Sequence, residues 1–316
     1  RTEDPAPGDI AAKIARFSGV AEDAVILLAN AHTVYEVPLT VYASGIGPVL
    51  ERFTGNTKKP DLTKWRDLAE AQETRFPQTV KVGMVAKYLD NEDTYISVLE
   101  ALKAAAWQEK VNLDLRWIDA EDVVNDDLSS VDAVLVPGGF GKRGIEGKIQ
   151  AATYALEHKK PYLGLCLGLQ VAVIASARRS GLSDANSTEF EPDAKHNVVY
   201  IMEGQQGKES TGGTLRLGDY NAVLTKGSKV AEAYGATKTV ERHRHRYEVN
   251  QKFTKAIEAG GLTISGTSPD GKLVEYVEGA HHPYFVATQA HPEFKSRPSR
   301  PHPLFVGLIR AAKQGV

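Results

Sequence analysis

The sequence predicts an α/β fold: a mostly parallel central sheet covered by helices on both faces, with additional β hairpins in its second half. Three observations predict it. From residue 80 short apolar runs alternate with longer amphipathic ones, the pattern of strands joined by crossover helices. The apolar runs at 131–136 and 161–166 end in glycine-bearing turns, Pro137-Gly138-Gly139-Phe140-Gly141 and Gly164-Leu165-Cys166-Leu167-Gly168. After residue 189 the chain becomes glycine-rich and strand-like.

Residues 1–55 are expected to be the tail of another domain. Asp9 is placed to cap a helix whose Ile10, Ile14 and Phe17 share one face and which Gly19 closes. Residues 24–28 read as a strand, and Ile46, Val49, Leu50 and Phe53 mark a second amphipathic helix. Too little apolar surface is present here for an independent core, so this segment is expected to pack against sequence outside the chain, which begins at Arg1 rather than methionine. Residues 56–78, with Asn56-Thr57-Lys58-Lys59-Pro60 and a charged helix around Trp65, read as a linker to a main domain over 79–316.

Within that domain the expected strands are 80–85, 111–118, 131–136 and 161–166. Helices are expected at 94–107, where Val98, Leu99, Leu102 and Ala105 share a face, at 145–158, and in the alanine-rich stretch 169–178. Strands at 197–202, 214–217, 222–224, 247–249, 262–266, 274–277 and 285–290 follow, and a helix at 304–313 closes the chain. Ligands of such sheets gather beyond the carboxyl ends of the parallel strands, where both glycine-bearing turns would lie.

A net charge of -2 predicts no general affinity for nucleic acid or anionic membrane. A single cysteine excludes an intrachain disulfide, and no apolar run is long enough to span a bilayer. A cytoplasmic setting is the expectation.

Cys166 sits between two glycines where a strand runs into a helix, the geometry of a nucleophile elbow. A thiol at the first turn of a helix meets the positive end of the macrodipole, which favours the thiolate; a buried structural cysteine is the alternative. His291-Pro292-Glu293 forms a second polar cluster at a strand end, and a histidine oriented by an acid is what a cysteine nucleophile requires. Gly138-Gly139 offers backbone N–H groups unshielded by a Cβ, and the N–H of Leu167 supplies a second oxyanion donor. Gly-Gly-x-Gly also admits a phosphate-loop reading, without the spacing or the Lys-Ser that reading needs. In Glu241-Arg242-His243-Arg244-His245-Arg246-Tyr247, extended geometry divides the side chains between two faces, which disfavours a nucleic-acid patch and leaves an arginine for a substrate carboxylate. These histidines and His281-His282 lack a matching ligand pattern, so no metal is expected. Asn186-Ser187-Thr188-Glu189-Phe190 reads by itself as a capped turn.

Taken in order, these motifs resemble the class I glutamine amidotransferases with a Cys-His-Glu triad, and among them the glutaminase part of the CTP synthase family. The resemblance is carried by Tyr35-Glu36-Val37-Pro38-Leu39, by Pro137 to Gly144 with Glu146-Gly147-Lys148, and by Leu165-Cys166-Leu167-Gly168. Asn186 to Phe190, Gly212-Gly213-Thr214-Leu215-Arg216-Leu217-Gly218, Glu241 to Asn250 and His291-Pro292-Glu293-Phe294 complete it. It implies the class I glutamine amidotransferase fold, with Cys166 as nucleophile, His291 as acid and base, Glu293 as its orienter, and Gly139 and Leu167 as oxyanion donors. It implies glutamine contacts at Gly139, Leu167, Gly168, Leu169, Gln170, Glu189 and Arg244, and an allosteric GTP site near Arg143, Gly144 and Glu146. For the full-length enzyme it implies an amidoligase domain, of which residues 1–55 are the tail, that uses ATP, Mg2+ and UTP, within a homotetramer. No cofactor is implied for this chain, which would hydrolyse L-glutamine without making CTP. Another synthase's class I glutaminase and a catalytically idle assembly scaffold are the competing readings.

Overall fold

The computed structural model describes residues 8–89, 91–201 and 215–315. It divides into two compact units, Arg1–Arg75 and Phe76–Val316.

In the first unit four helices are described: α1 (Ile10–Ser18), α2 (Val37–Ala43), α3 (Ile46–Thr54) and α4 (Thr63–Glu73). Gly19 ends α1 in the left-handed conformation, as its position predicts. Asp9 does not cap α1 with its side chain; the carboxylate pairs with Lys13 at 2.5 Å instead. The strand expected at 24–28 does not form. Glu22–Ala24 is a 3-10 turn, and among the described residues of this unit no strand offers the N–H and C=O partners that an apolar run needs to become one. The stretch expected to be a linker carries all of α4, and Thr33 Oγ1 donates to its Gln72 at 2.5 Å.

The second unit runs β1 (Thr79–Ala86), α5 (Ile96–Glu109), β2 (Asn112–Asp119), α6 (Asn125–Ser129), β3 (Ala133–Val136), α7 (Ile145–His158), β4 (Tyr162–Leu165) and α8 (Leu167–Arg179). Then come β5 (Asn186–Ser187), β6 (Asn197–Ile201), β7 (Arg216–Leu224), α9 (Lys229–Tyr234), β8 (Lys238–His245) and β9 (Tyr247–Val249). The last elements are α10 (Thr254–Ala259), β10 (Leu262–Thr267), β11 (Val274–Gly279), β12 (Phe285–Thr288) and α11 (Pro303–Gln314). The separate strands expected at 214–217 and 222–224 are one strand, β7; Gly212, Gly213 and Thr214 lie outside the described residues.

Nine strands form one sheet in the order β2-β1-β3-β4-β12-β11-β10-β7-β8. The first five run parallel, and the pairings beyond β12 are antiparallel. A small second sheet joins β5, β6 and β9. Alternation along the short buried strands sends Ala133 and Leu135 to the layer of α5, α9 and α11, and Val134 and Val136 to the layer of α7, α8 and α10. Because both faces are covered, β3, β4 and β12 are apolar at every position but Gly164 and Thr288. The polar residues they deliver therefore stand just past their carboxyl ends, side by side on one rim.

Candidate active site

Cys166 follows β4 and stands at the N-cap of α8 with φ 52° and ψ -98°, a backbone state that L side chains rarely adopt. Its N–H donates to Thr288 O at 2.7 Å, which fixes the elbow to the end of β12. The two flanking glycines are needed for close approach. A Cβ on Gly164 would stand 2.6 Å from Gly168 O, and one on Gly168 would fall well inside contact of Val136 O. The Gly-x-Cys-x-Gly frame is thus a packing requirement between β4, α8 and β3. The thiol is buried, with Sγ 3.9 Å from Arg244 O and 3.8 Å from Gln289 Nε2.

His291 and Glu293 follow β12, the neighbour of β4, and Pro292–Phe294 turn as a 3-10 helix that brings both side chains to the rim. His291 Nδ1 lies 2.7 Å from Glu293 Oε1, while Nε2 is buried with no hydrogen-bond partner among the described residues. The backbone N–H of His291 donates to Arg242 O at 2.7 Å. Burial alone would lower the imidazole pKa, but the facing Cys166 and the Glu293 carboxylate outweigh it and push the pKa up to about 11. The shift favours the form in which both ring nitrogens carry protons.

Gly138, just past β3, closes the third side. A Cβ there would stand 2.8 Å from His291 Cε1 and 3.5 Å from Cys166 Cβ, so the bare backbone fits between the two side chains. At Gly139 the same position would meet Leu167 Cδ2 at 3.4 Å, which places the two sequence-predicted oxyanion residues against each other. Leu167 opens α8, and the leading N–H groups of a helix have no intrahelical partner.

Glu189 reaches the same loop, accepting from Gly141 N–H at 2.8 Å. Burial raises its carboxyl pKa, opposed by that N–H and by Lys87 and Arg246. Gln170, buried in α8, directs its amide to Tyr247 O at 3.3 Å and Gln289 Oε1 at 3.4 Å, so its Nε2 is already engaged within the protein. Gly168 and Leu169 are buried in the first turn of α8. In β8 the expected division between faces is present: Arg242 and Arg244 are exposed, while Glu241, His243 and His245 are buried. Burial, with Arg216 adding to it, lowers His243 to about 3, and burial holds His245 well below its ordinary value; the two neutral rings share a 2.9 Å contact. Among the described residues no group of three or more His, Cys, Asp or Glu converges as a metal site would require. Arg143 pairs with Glu121 at 2.7 Å and donates to Lys87 O, while Glu146 makes a two-pronged contact with Arg178 at 2.6 and 3.0 Å. Gly144 caps α7 at φ 70°.

Sequence reasoning gave no role to three side chains that the rim gathers. Gln289 was hidden in an apolar strand, where a lone amide was the available signal. Lys87 follows β1 and donates Nζ to the carbonyls of Phe140 and Gly141. Lys148 lies on the apolar face of α7 between Ile145 and Ile149.

The family model for glutamine amidotransferase class-I matches residues 90–311. CTP synthases of Carboxydothermus hydrogenoformans and Methanothermobacter thermautotrophicus are 48% and 46% identical over 99% of this chain. The chain spans 59% of the length of each. A structure described as the Trypanosoma brucei CTPS glutaminase domain with bound acivicin is 40% identical, with a TM-score of 0.69, over 74% of this chain and 94% of that one. With an elbow cysteine and a His-Glu pair on adjoining strand ends of a class I fold, the chain belongs to the class I glutamine amidotransferase family, in its CTP synthase branch.

Proposed function

We propose that the chain hydrolyses L-glutamine to glutamate and ammonia through a thioester on Cys166, as the glutaminase part of a longer enzyme that aminates UTP to CTP at the cost of ATP. The observation that carries this reading is the convergence on Gly138: Cys166 and His291 flank its bare Cα, and Glu293 holds His291 at 2.7 Å.

The Cys166 thiolate attacks the side-chain amide carbon, and the carbonyl electron pair moves onto oxygen, where the N–H groups of Gly139 and Leu167 receive it. His291 gives the proton on Nε2 to the amide nitrogen, the C–N bond breaks, and ammonia leaves. Water then attacks the thioester while His291 Nε2 takes its proton. Collapse of the adduct breaks the C–S bond, releasing glutamate and restoring the thiolate beside protonated His291. Glu293, 2.7 Å from His291 Nδ1, fixes the ring so that Nε2 faces the sulfur. Free glutamine carries an ammonium and a carboxylate, which suit Glu189 and Arg244 respectively.

Glutamate release from glutamine tests the reading, and failure of the wild-type chain to release it while Cys166 still reacts with iodoacetamide would sink it. Glu189→Gln keeps an acceptor for Gly141 N–H but removes the charge facing the substrate ammonium. Its KM for glutamine is expected to rise about tenfold or more with a smaller change in kcat, read from initial rates. The relatives' name, CTP synthase, supports the wider reading of a partner domain that makes CTP; the use of ATP, Mg2+ and UTP there, GTP activation, a homotetramer and a cytoplasmic setting belong to the same proposal. CTP formation by the 316-residue chain alone would overturn the expectation that amination needs the remaining length.

A further inference from the structure

Lys148 is a lysine with no visible reason to be where it is. It is 0% exposed, in the second turn of α7, on the face that also buries Ile145, Ile149 and Ala152. A lysine on an apolar face ordinarily runs its stem along the core and lifts its ammonium into water. Here the Nζ is itself buried and has no hydrogen-bond partner among the described residues. Two other buried or half-buried lysines near the parallel strands are served: Lys87 donates to two carbonyls and Lys160 to Val131 O at 2.6 Å.

The Nζ is also aimed at a particular place. It lies 3.8 Å from where a Cβ on Gly139 would stand, the point that Leu167 Cδ2 approaches to 3.4 Å and Lys87 Cε to 3.6 Å. The unpartnered Nζ thus sits beside the place where Gly139 and Leu167 meet. A leucine or methionine would fill the same space without the cost of an unpaired buried ammonium. A partner that arrives only during the reaction accounts for the lysine.

We infer that Lys148 is a positioning residue for the anionic stages at Cys166: from behind Gly139 and Leu167, its ammonium stabilises the thiolate and the tetrahedral oxyanion. This rests on the reading of Cys166 as the glutamine nucleophile. Burial pushes the Lys148 amine down to about 7, with Lys87 adding to the fall and Cys166 opposing it. The charged groups facing Lys148 are thus Lys87 from the end of β1 and Cys166 from the end of β4. Behind them Arg143, Glu189 and Glu121 act on Lys87, and His291 acts on Cys166. An anion at Cys166 favours the protonated amine, so the charge is held where the thiolate and the tetrahedral oxyanion form.

Lys148→Met tests the inference in the 316-residue chain. Since the unfolded chain holds a proton on this amine up to 10.5 and the folded chain only up to about 7, burial of Lys148 costs stability fully below about pH 7 and not at all above 10.5. The variant is therefore expected to melt higher than wild type at pH 6.5, with the gap closing towards pH 10.5. Its kcat for glutamine hydrolysis is expected to fall about tenfold or more with KM within about twofold. Alkylation of Cys166 by iodoacetamide is expected to slow about tenfold at pH 6.5 and to converge with wild type at alkaline pH. A folded Lys148→Met with unchanged kcat and an unchanged alkylation profile would reduce Lys148 to a packing residue. A rise in KM alone would make it a substrate contact and overturn the inference as well. Should Lys148→Met fail to fold, Lys148→Gln carries the same measurements. Alkylation that shifts as expected in a chain whose wild type releases no glutamate would refute the glutaminase reading and leave the link between Lys148 and Cys166 standing.

Discussion

Cys166→Ala is expected to lower glutamine hydrolysis by about four orders of magnitude or more, and Cys166→Gly to do the same while giving a more stable protein than the alanine variant. The loss of activity follows from removal of the sulfur, for which neither His291 nor a water can substitute as the attacking atom. The stability difference follows from the backbone. At φ 52° and ψ -98° any side chain with a Cβ is strained, at a cost on the order of 1–3 kcal/mol. Alanine keeps that strain, whereas glycine relieves it against about 1 kcal/mol of extra chain entropy lost on folding. Glycine is thus expected to exceed alanine by about 1 kcal/mol in urea denaturation. Equal stability of the two variants would mean that the elbow is not held under strain.

Gly168→Ala is expected to destabilise the protein by about 3 kcal/mol and to lower kcat about a hundredfold in whatever folds. The added methyl would fall well inside contact of Val136 O, and neither side can yield by a rotamer change. Val136 is paired with Gly164 within the sheet, and Gly168 is in the first turn of α8. One element must move. If α8 shifts, Leu167 leaves Gly139; if β3 shifts, Gly138 leaves Cys166 and His291. Thermal denaturation and kcat should therefore fall together, and a fully active, stable Gly168→Ala would remove the packing account of the Gly-x-Cys-x-Gly frame.

The parallel half of the sheet is legible because its strands are buried on both faces and end in glycines, so the apolar runs stop where the rim begins. The boundaries of α7 and β4 coincide with the expected 145–158 and the core of 161–166 for that reason. The run 24–28 is equally apolar, yet a strand is defined by its neighbour, and a neighbour is not written in a local window. The short helices α6, α9 and α10 escape notice because five or six residues leave no periodicity to read. At the rim, Cys166, Gly138 and the His291-Glu293 pair are visible through turn chemistry. Gln289, Lys87 and Lys148 are not, because their roles depend on where strand ends meet and not on their own flanks.

The position of β12 bears on when the chain can acquire its chemistry. Although near the end of the sequence, β12 is wedged between β4 and β11, in the middle of the sheet. During synthesis the elbow and the oxyanion loop emerge first, but Thr288 O, which receives the Cys166 N–H, and the His291 imidazole come only after β12 has threaded between them. A pairing of such long sequence separation is slow to form and has no partial version. A nascent or truncated chain would therefore carry a cysteine without a base, inert toward amides, and hydrolytic competence would appear all at once, as a signal that the sheet has closed.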